Sequence, residues 1–244
     1  MMIRLEIFFF LLLSILFTSC TAERSYPWLE DLDANKGYLD SGKDLMAVKF
    51  GLNSLEIKKN TESHLLIAVH GSNSPGYEWI YPLKTLDNED TLTLFFRWDD
   101  NGCPAPSFKI LNEQINQILD LNNNVNGITI MGHSYGALLV SMFSESWSND
   151  IPVEIHSIAG PLAGISNLNS LCDYQQPRFI STNLRFYQWR TLQHLDGAFK
   201  DLDTDPQIIN LQDSIVTRLP ENYRGERLGH NWSISWVADE LNQR

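Results

Sequence analysis

Residues 127–136 read Gly-Ile-Thr-Ile-Met-Gly-His-Ser-Tyr-Gly, a β-branched strand that runs directly into Gly132-x-Ser134-x-Gly136. No other segment constrains the fold as tightly. A chain that reverses from strand to helix within a few residues leaves the central serine on a strained backbone, with its hydroxyl standing above the sheet edge. Glycines two residues before and two after remove the side chains that would collide as strand and helix close on each other. Residues 137–147 then carry Leu138, Leu139, Met142, Phe143 and Trp147 at helical spacing. Ser134 is therefore the candidate nucleophile. A loop serine between glycines is the plain alternative, and the strand before and helix after argue against it.

The same alternation runs through the rest of the chain. Residues 64–70 and 91–98 read as strands, each followed by a helix, at 77–86 and at 107–121; in the second, Phe108, Leu111, Ile115, Ile118 and Leu119 form one face. Strands are expected again at 128–131, 153–159 and 184–192, with a short one at 207–211. A closing helix is expected at 231–241, with Trp232, Trp236 and Val237 inward. Upstream, residues 45–50 and 55–58 flank Gly51-Leu52-Asn53-Ser54 and suit an antiparallel hairpin. Such a pattern predicts an α/β fold with a mainly parallel sheet covered on both faces. With 244 residues, 43 % of them hydrophobic, one domain is expected over 45–244, preceded by a tether or cover at 21–44. Residues 163–183 lack a strong period, and a stretch of that length suits a lid.

The formal net charge of −12, with no basic cluster to offset it, argues against nucleic acid or an anionic lipid surface as partner. Residues 1–20 read as a targeting segment: Arg4, then an apolar run over 7–17 interrupted only by Ser14, too short to span a bilayer. Its end, Leu16-Phe17-Thr18-Ser19-Cys20, resembles the bacterial lipobox, which implies a lipid on Cys20 and attachment to a membrane of a bacterial envelope. Phe17 stands where that pattern usually has leucine, so ordinary cleavage near Ala22, giving a periplasmic or secreted protein, is the alternative. Export places Cys103 and Cys172 in an oxidising compartment. Both follow strands, hence lie at one edge of a parallel sheet, and a disulfide between them is expected over two free thiols. Neither has a histidine arranged to activate a thiolate.

A serine hydroxyl needs a base, and the base needs a third group to fix its tautomer. His64 and His70 flank an upstream strand, His133 is read as pointing away from the turn, His156 lies within a strand, and His194 and His230 come later. His230, in a loop just before the last helix, can reach across to a serine at a strand end, and it is the expected base. Asp196, in His194-Leu195-Asp196-Gly197 just beyond a strand, is the expected acid. Asp201, Asp203 and Asp205 read as a solvated acidic turn that competes for the role, and Asp213 is a lesser candidate. The oxyanion donors are expected to be the backbone amides of Tyr135, which follows the nucleophile, and of Ser72, in the loop opened by His70-Gly71. No Cys/His ladder or helical His pair suggests a metal site.

With these residues in place, the chain resembles the α/β-hydrolases over about residues 45–242. The likeness rests on the apolar strand ending in His70-Gly71, on the turn at Gly132–Gly136, and on the chain order Ser134, acid, late histidine. It implies an eight-stranded, mostly parallel sheet with helices on both faces, acyl-enzyme chemistry without a cofactor, and a monomer acting on a small-molecule or lipid acyl substrate. Gly160-Pro161-Leu162-Ala163-Gly164 resembles a segment of lipase-like members, whereas no glycine run follows His70 as it does in the Gly-Gly-Gly esterases. An esterase reading leads; a peptidase, thioesterase or acyltransferase would use the same turn, and a non-catalytic surface lipoprotein would keep only the fold. Trp79, Trp98, Phe143 and Trp189 either line an acyl pocket or fill the core, where such residues more often sit.

Overall fold

The computed structural model describes residues 26–59 and 61–243; the lipobox-like Cys20 and Ala22 lie outside them. In chain order the elements are α1 (Tyr38–Met46), β1 (Gly51–Ser54), β2 (His64–Val69), α2 (Tyr77–Leu86), β3 (Thr91–Arg97), α3 (Pro104–Leu121), β4 (Gly127–His133), α4 (Tyr135–Ser141) and α5 (Phe143–Ser146). They continue with β5 (Val153–Ile158), α6 (Ser166–Cys172), β6 (Leu184–Arg190), β7 (Ile215–Arg218), β8 (Asn222–Tyr223), β9 (Glu226–Arg227) and α7 (Ser233–Asn242). A seven-stranded sheet runs β1-β3-β2-β4-β5-β6-β7, parallel except for β1, and β8 and β9 form a separate hairpin.

Alternation along the central strands explains why both faces are covered. In β2, Leu65, Ile67 and Val69 join one core with Leu111 and Ile115 of α3 and Leu138 and Leu139 of α4. Leu66 and Ala68 face the other way, into a core with Leu45 of α1, Trp79, Ile80 and Leu83 of α2, and Ile234 and Val237 of α7. A strand apolar on both sides belongs in the middle of a parallel sheet. Trp79, Trp98, Phe143 and Trp189 are all buried within these cores.

The N-terminal hairpin expected from the sequence does not form. Leu45 lies in α1 and is fully buried against α2, and the presumed turn at 51–54 is itself β1. Its residues pair antiparallel with Leu94–Arg97 of β3, and the Gln114 side chain accepts from the Leu52 amide at 2.7 Å. Ladder bonds along the open edge of β3 outweigh the turn preference of Gly51 and Asn53. The described sheet therefore has seven strands where the resemblance implies eight. Residues 207–211 are likewise not a strand. Gln207 is drawn inward instead, its side-chain oxygen accepting from the Thr191 amide at 2.8 Å, and the edge strand is β7.

The strand order reverses beside β2, which leads outward to β3 on one side while β4 lies on the other. Ligands of open parallel sheets bind beyond the carboxyl ends at such a reversal. The loop after β2 and the turn after β4 meet there.

Cys103, at the start of α3, and Cys172, at the end of α6, are joined in a disulfide with Cα atoms 5.4 Å apart and a sequence separation of 69. Further ties hold the segment between β5 and β6. Tyr174 donates its hydroxyl to the Leu162 carbonyl at 3.1 Å, the Ser181 amide bonds to Ser144, and Arg178 bonds to Glu145. A cross-link closing so long a loop stabilises chiefly by restricting the unfolded chain, by about 4 kcal/mol at most. Reduction is expected to lower the unfolding free energy by about 2–4 kcal/mol. Urea denaturation with and without reductant, beside the Cys103→Ser/Cys172→Ser double variant, measures this, and coincident curves would show that the loop is held equally well without the bond.

Candidate active site

Ser134 joins β4 to α4 with φ 54° and ψ −120°, a backbone conformation that non-glycine residues rarely adopt. Crowding imposes it. A Cβ at Gly136 would lie 2.4 Å from the His70 carbonyl oxygen and 2.5 Å from that of Val69, so α4 packs against the end of β2 only because that atom is missing. The side chain of Ser134 is half-buried. On its flank, a Cβ at Gly71 would lie 2.9 Å from the Ser134 Cβ, which places the loop after β2 directly beside the serine.

That loop is clamped by His70, whose ring is fully buried. Its Nδ1 bonds to the Gly71 carbonyl at 2.8 Å, while Nε2 faces the Trp98 amide at 3.3 Å and the Arg97 guanidinium at 3.1 Å. Two donors aimed at Nε2 require it to be the unprotonated acceptor, so the proton sits on Nδ1. The His70 carbonyl accepts from the Trp98 indole at 2.9 Å, which closes the clamp. Beyond it, Asn73 has φ 51° and donates its amide to Asp100 at 2.5 Å. The Ser72 amide makes no backbone hydrogen bond among the described residues. Tyr135 opens α4, so its amide precedes the intrahelical ladder; its hydroxyl donates to the Gly102 carbonyl at 2.7 Å and its ring packs on Trp98 at 5.0 Å.

His230 and Asp196 come together from distant parts of the chain. The Nδ1 of His230 lies 2.9 Å from both carboxylate oxygens of Asp196. Asp196 is fully buried, and it also accepts from the Ala198 amide at 2.9 Å and from the Thr191 hydroxyl. The competing acids are placed otherwise. Asp201, Asp203 and Asp213 are exposed, and Asp205 pairs with Arg218 at 3.2 Å. Of the other histidines, His64 bonds to Thr129 at 2.9 Å, His156 stacks on Tyr187 at 4.6 Å within the core, and His194 is exposed.

His133 corrects the expectation that it points away. Its buried ring packs 4.6 Å from the His230 ring, and its Nε2 lies 3.1 Å from the His230 carbonyl, which also accepts from the Ser233 hydroxyl at 2.5 Å. Thus the residue before Ser134 holds the loop that carries His230. Phe199 braces the opposite side edge-on at 5.1 Å. Burial first, and then the neighbouring His230, pushes the His133 imidazole well below its ordinary range and keeps it neutral. Glu78, at the start of α2, is a second residue that no sequence pattern marked. It is buried, accepts from the Ser74 hydroxyl, and has its carboxyl pushed upward by burial.

His70 makes the fold sensitive to acid. Burial, helped by Arg97, pushes its imidazole down to about 4, while an unfolded histidine titrates near 6.5. Between those values the unfolded chain binds a proton that the folded one refuses, so stability is full above pH 6.5 and falls as the pH drops towards 4. The expected slope from this group is about 1.4 kcal/mol per pH unit within the window. Urea midpoints measured at pH 7, 6 and 5 check it; a midpoint constant across that range would contradict the neutral clamp.

Comparison with known proteins adds the fold and no more. No family model matches the sequence, and no curated protein matches it. Among solved structures the chain is similar to Est1E from Butyrivibrio proteoclasticus, at 15% identity over 79% of this chain and 90% of that one, with a TM-score of 0.55. It is similar to the lin2722 product of Listeria innocua (12% identity, 74% and 92% covered, TM-score 0.52). A third likeness is to ATU1826 from Agrobacterium tumefaciens, a protein of unknown function proposed to be an α/β hydrolase (11% identity, 79% and 88% covered, TM-score 0.51). Together with the strand order and the turn at Ser134, these likenesses identify the architecture: the protein has the α/β-hydrolase fold.

Proposed function

We propose that the protein is a serine hydrolase that cleaves a carboxylic ester or a related acyl bond through an acyl-enzyme on Ser134. One observation carries this reading: a histidine ring packed against the residue beside Ser134 has its Nδ1 2.9 Å from both oxygens of a buried carboxylate. That bond fixes the tautomer, leaving Nε2 free to accept a proton. Ser134 Oγ attacks the acyl carbon while its proton passes to His230. The carbonyl oxygen becomes an oxyanion, held by the amides of Ser72 and Tyr135 in a preorganised site that does not reorganise as charge develops. Collapse of the tetrahedral intermediate breaks the bond to the leaving group, which takes the proton from His230. Water, deprotonated by the same ring, then releases the acid and restores Ser134.

Asp196 orients His230 and stabilises its imidazolium form, and its burial beside the Ala198 amide gives the carboxylate one position rather than several. Export belongs to the same proposal. A bacterial envelope location, with a lipid on Cys20, is supported by the leader sequence and by the Cys103–Cys172 disulfide, a bond characteristic of oxidising compartments.

A fluorophosphonate probe is expected to label the wild-type protein and not Ser134→Ala; equal labelling of the two would overturn the assignment of the nucleophile. Asp196→Asn preserves the shape but favours the wrong tautomer of His230, so turnover of nitrophenyl acetate is expected to fall by about four orders of magnitude. Steady-state kinetics on that variant decide the point, and wild-type turnover would remove Asp196 from the mechanism.

A further inference from the structure

Arginine usage singles out one side of the site. Arg97, Arg178, Arg185, Arg190, Arg218 and Arg224 each donate to a protein acceptor. Arg227 is the one described arginine that donates to none. It is exposed, and it lines a hollow of about 540 Å³ together with His230, Asn231 and Trp232.

Its backbone is not loose. Arg227 lies on the β8–β9 hairpin opposite Asn222, and the adjoining Leu228 amide bonds to the Glu221 carbonyl at 2.8 Å. The turn of the hairpin is fastened by Arg224, which sits 4.5 Å from the Tyr81 ring and bonds to Asp239 at 3.0 Å. Tyr223 bonds to the same carboxylate at 2.5 Å and packs edge-on against Trp232 at 5.6 Å. A free guanidinium is thus carried on a fixed ribbon, next to Trp232, which caps α7 and is 41% exposed where the helical spacing predicts it inward. In a chain of net charge −12, such a cation is conspicuous chemistry rather than part of a general basic surface.

The departing half of an ester must stand at His230 to receive its proton, and the hollow shares that residue. We infer that this hollow selects esters whose departing alcohol carries a carboxylate, which Arg227 grips while Trp232 covers its carbon skeleton. The inference rests on the hydrolase reading above. A planar guanidinium binds a carboxylate through two parallel hydrogen bonds. The net charge of −12 on the whole chain disfavours a polyanion, so the group recognised is a small alcohol with a single carboxylate.

The acetyl esters of 4-hydroxybenzoate and of its methyl ester provide a matched anionic and neutral pair. The ratio of their kcat/KM values, compared between wild type and variants, cancels the intrinsic difference between the leaving groups. In wild type the ratio is expected to favour the anionic ester by about ten-fold more than in Arg227→Ala, with Arg227→Lys between them and Arg227→Glu lower still. The same ratio in all four proteins overturns the role of Arg227 and leaves the hydrolase reading standing. If neither ester is cleaved and Ser134 resists the fluorophosphonate, the hydrolase reading fails and takes this inference with it.

Discussion

Everything at this site depends on how closely α4 approaches the end of β2. The His70 peptide is pressed between Gly136, where a Cβ would come within 2.4 Å of its oxygen, and the Trp98 indole, which donates to that oxygen at 2.9 Å. Nothing larger than hydrogen fits at Gly136 without moving backbone. With the two elements locked at that spacing, Ser134 has no room to relax from φ 54°, and the Gly71–Ser72 loop has to run alongside it. The strain in the turn and the position of the loop are therefore two results of one contact, and the surrounding core supplies the energy that sustains them.

The polar groups behind the site are arranged around neutral imidazoles. His70 accepts from Trp98 and Arg97, and His133 reaches the His230 carbonyl. A protonated ring at either place would set an additional charge in a buried environment beside an existing donor or another imidazole, which burial opposes. Neutral side chains serve better as supports here. They fix loops through directional bonds without adding a permanent charge beside His230.

The parts legible in the sequence were those set by short-range pattern. A strand, two glycines around a serine, and an apolar helical face specify the turn at Ser134 locally, and two cysteines in a chain expected to be exported suggest each other. His230 and Asp196 stood out because each occupies a loop just past or just before a regular element. The N-terminal hairpin was misread because Gly51 and Asn53 favour turns, whereas the partner that decides their conformation, β3, lies about forty residues away and offers an open edge. Residues 207–211 were misread because the Gln207 side chain, rather than a strand ladder, satisfies the Thr191 amide. The direction of His133 had no local signal at all: it is set by a loop almost a hundred residues later in the chain.

The two flanks of the site are held by different means, and this bears on what can vary. On the Tyr135 side, the hydroxyl bonds to Gly102, and the next residue, Cys103, is joined covalently to Cys172 of α6. On the His230 side, the β8–β9 hairpin is held by Arg224, Tyr81, Tyr223 and Asp239, while the Arg227 side chain donates to no acceptor among the described residues. Ser134 is set by the sheet and by α4, whose packing permits few changes. Tyr223 of the hairpin packs against the second core, whereas Asn222, Glu226 and Arg227 are exposed and lie outside both cores, so these three side chains can be exchanged at little cost to the fold. A recognition residue placed there, as Arg227 is, alters which molecules are accepted while leaving the geometry around Ser134 to the strands that impose it.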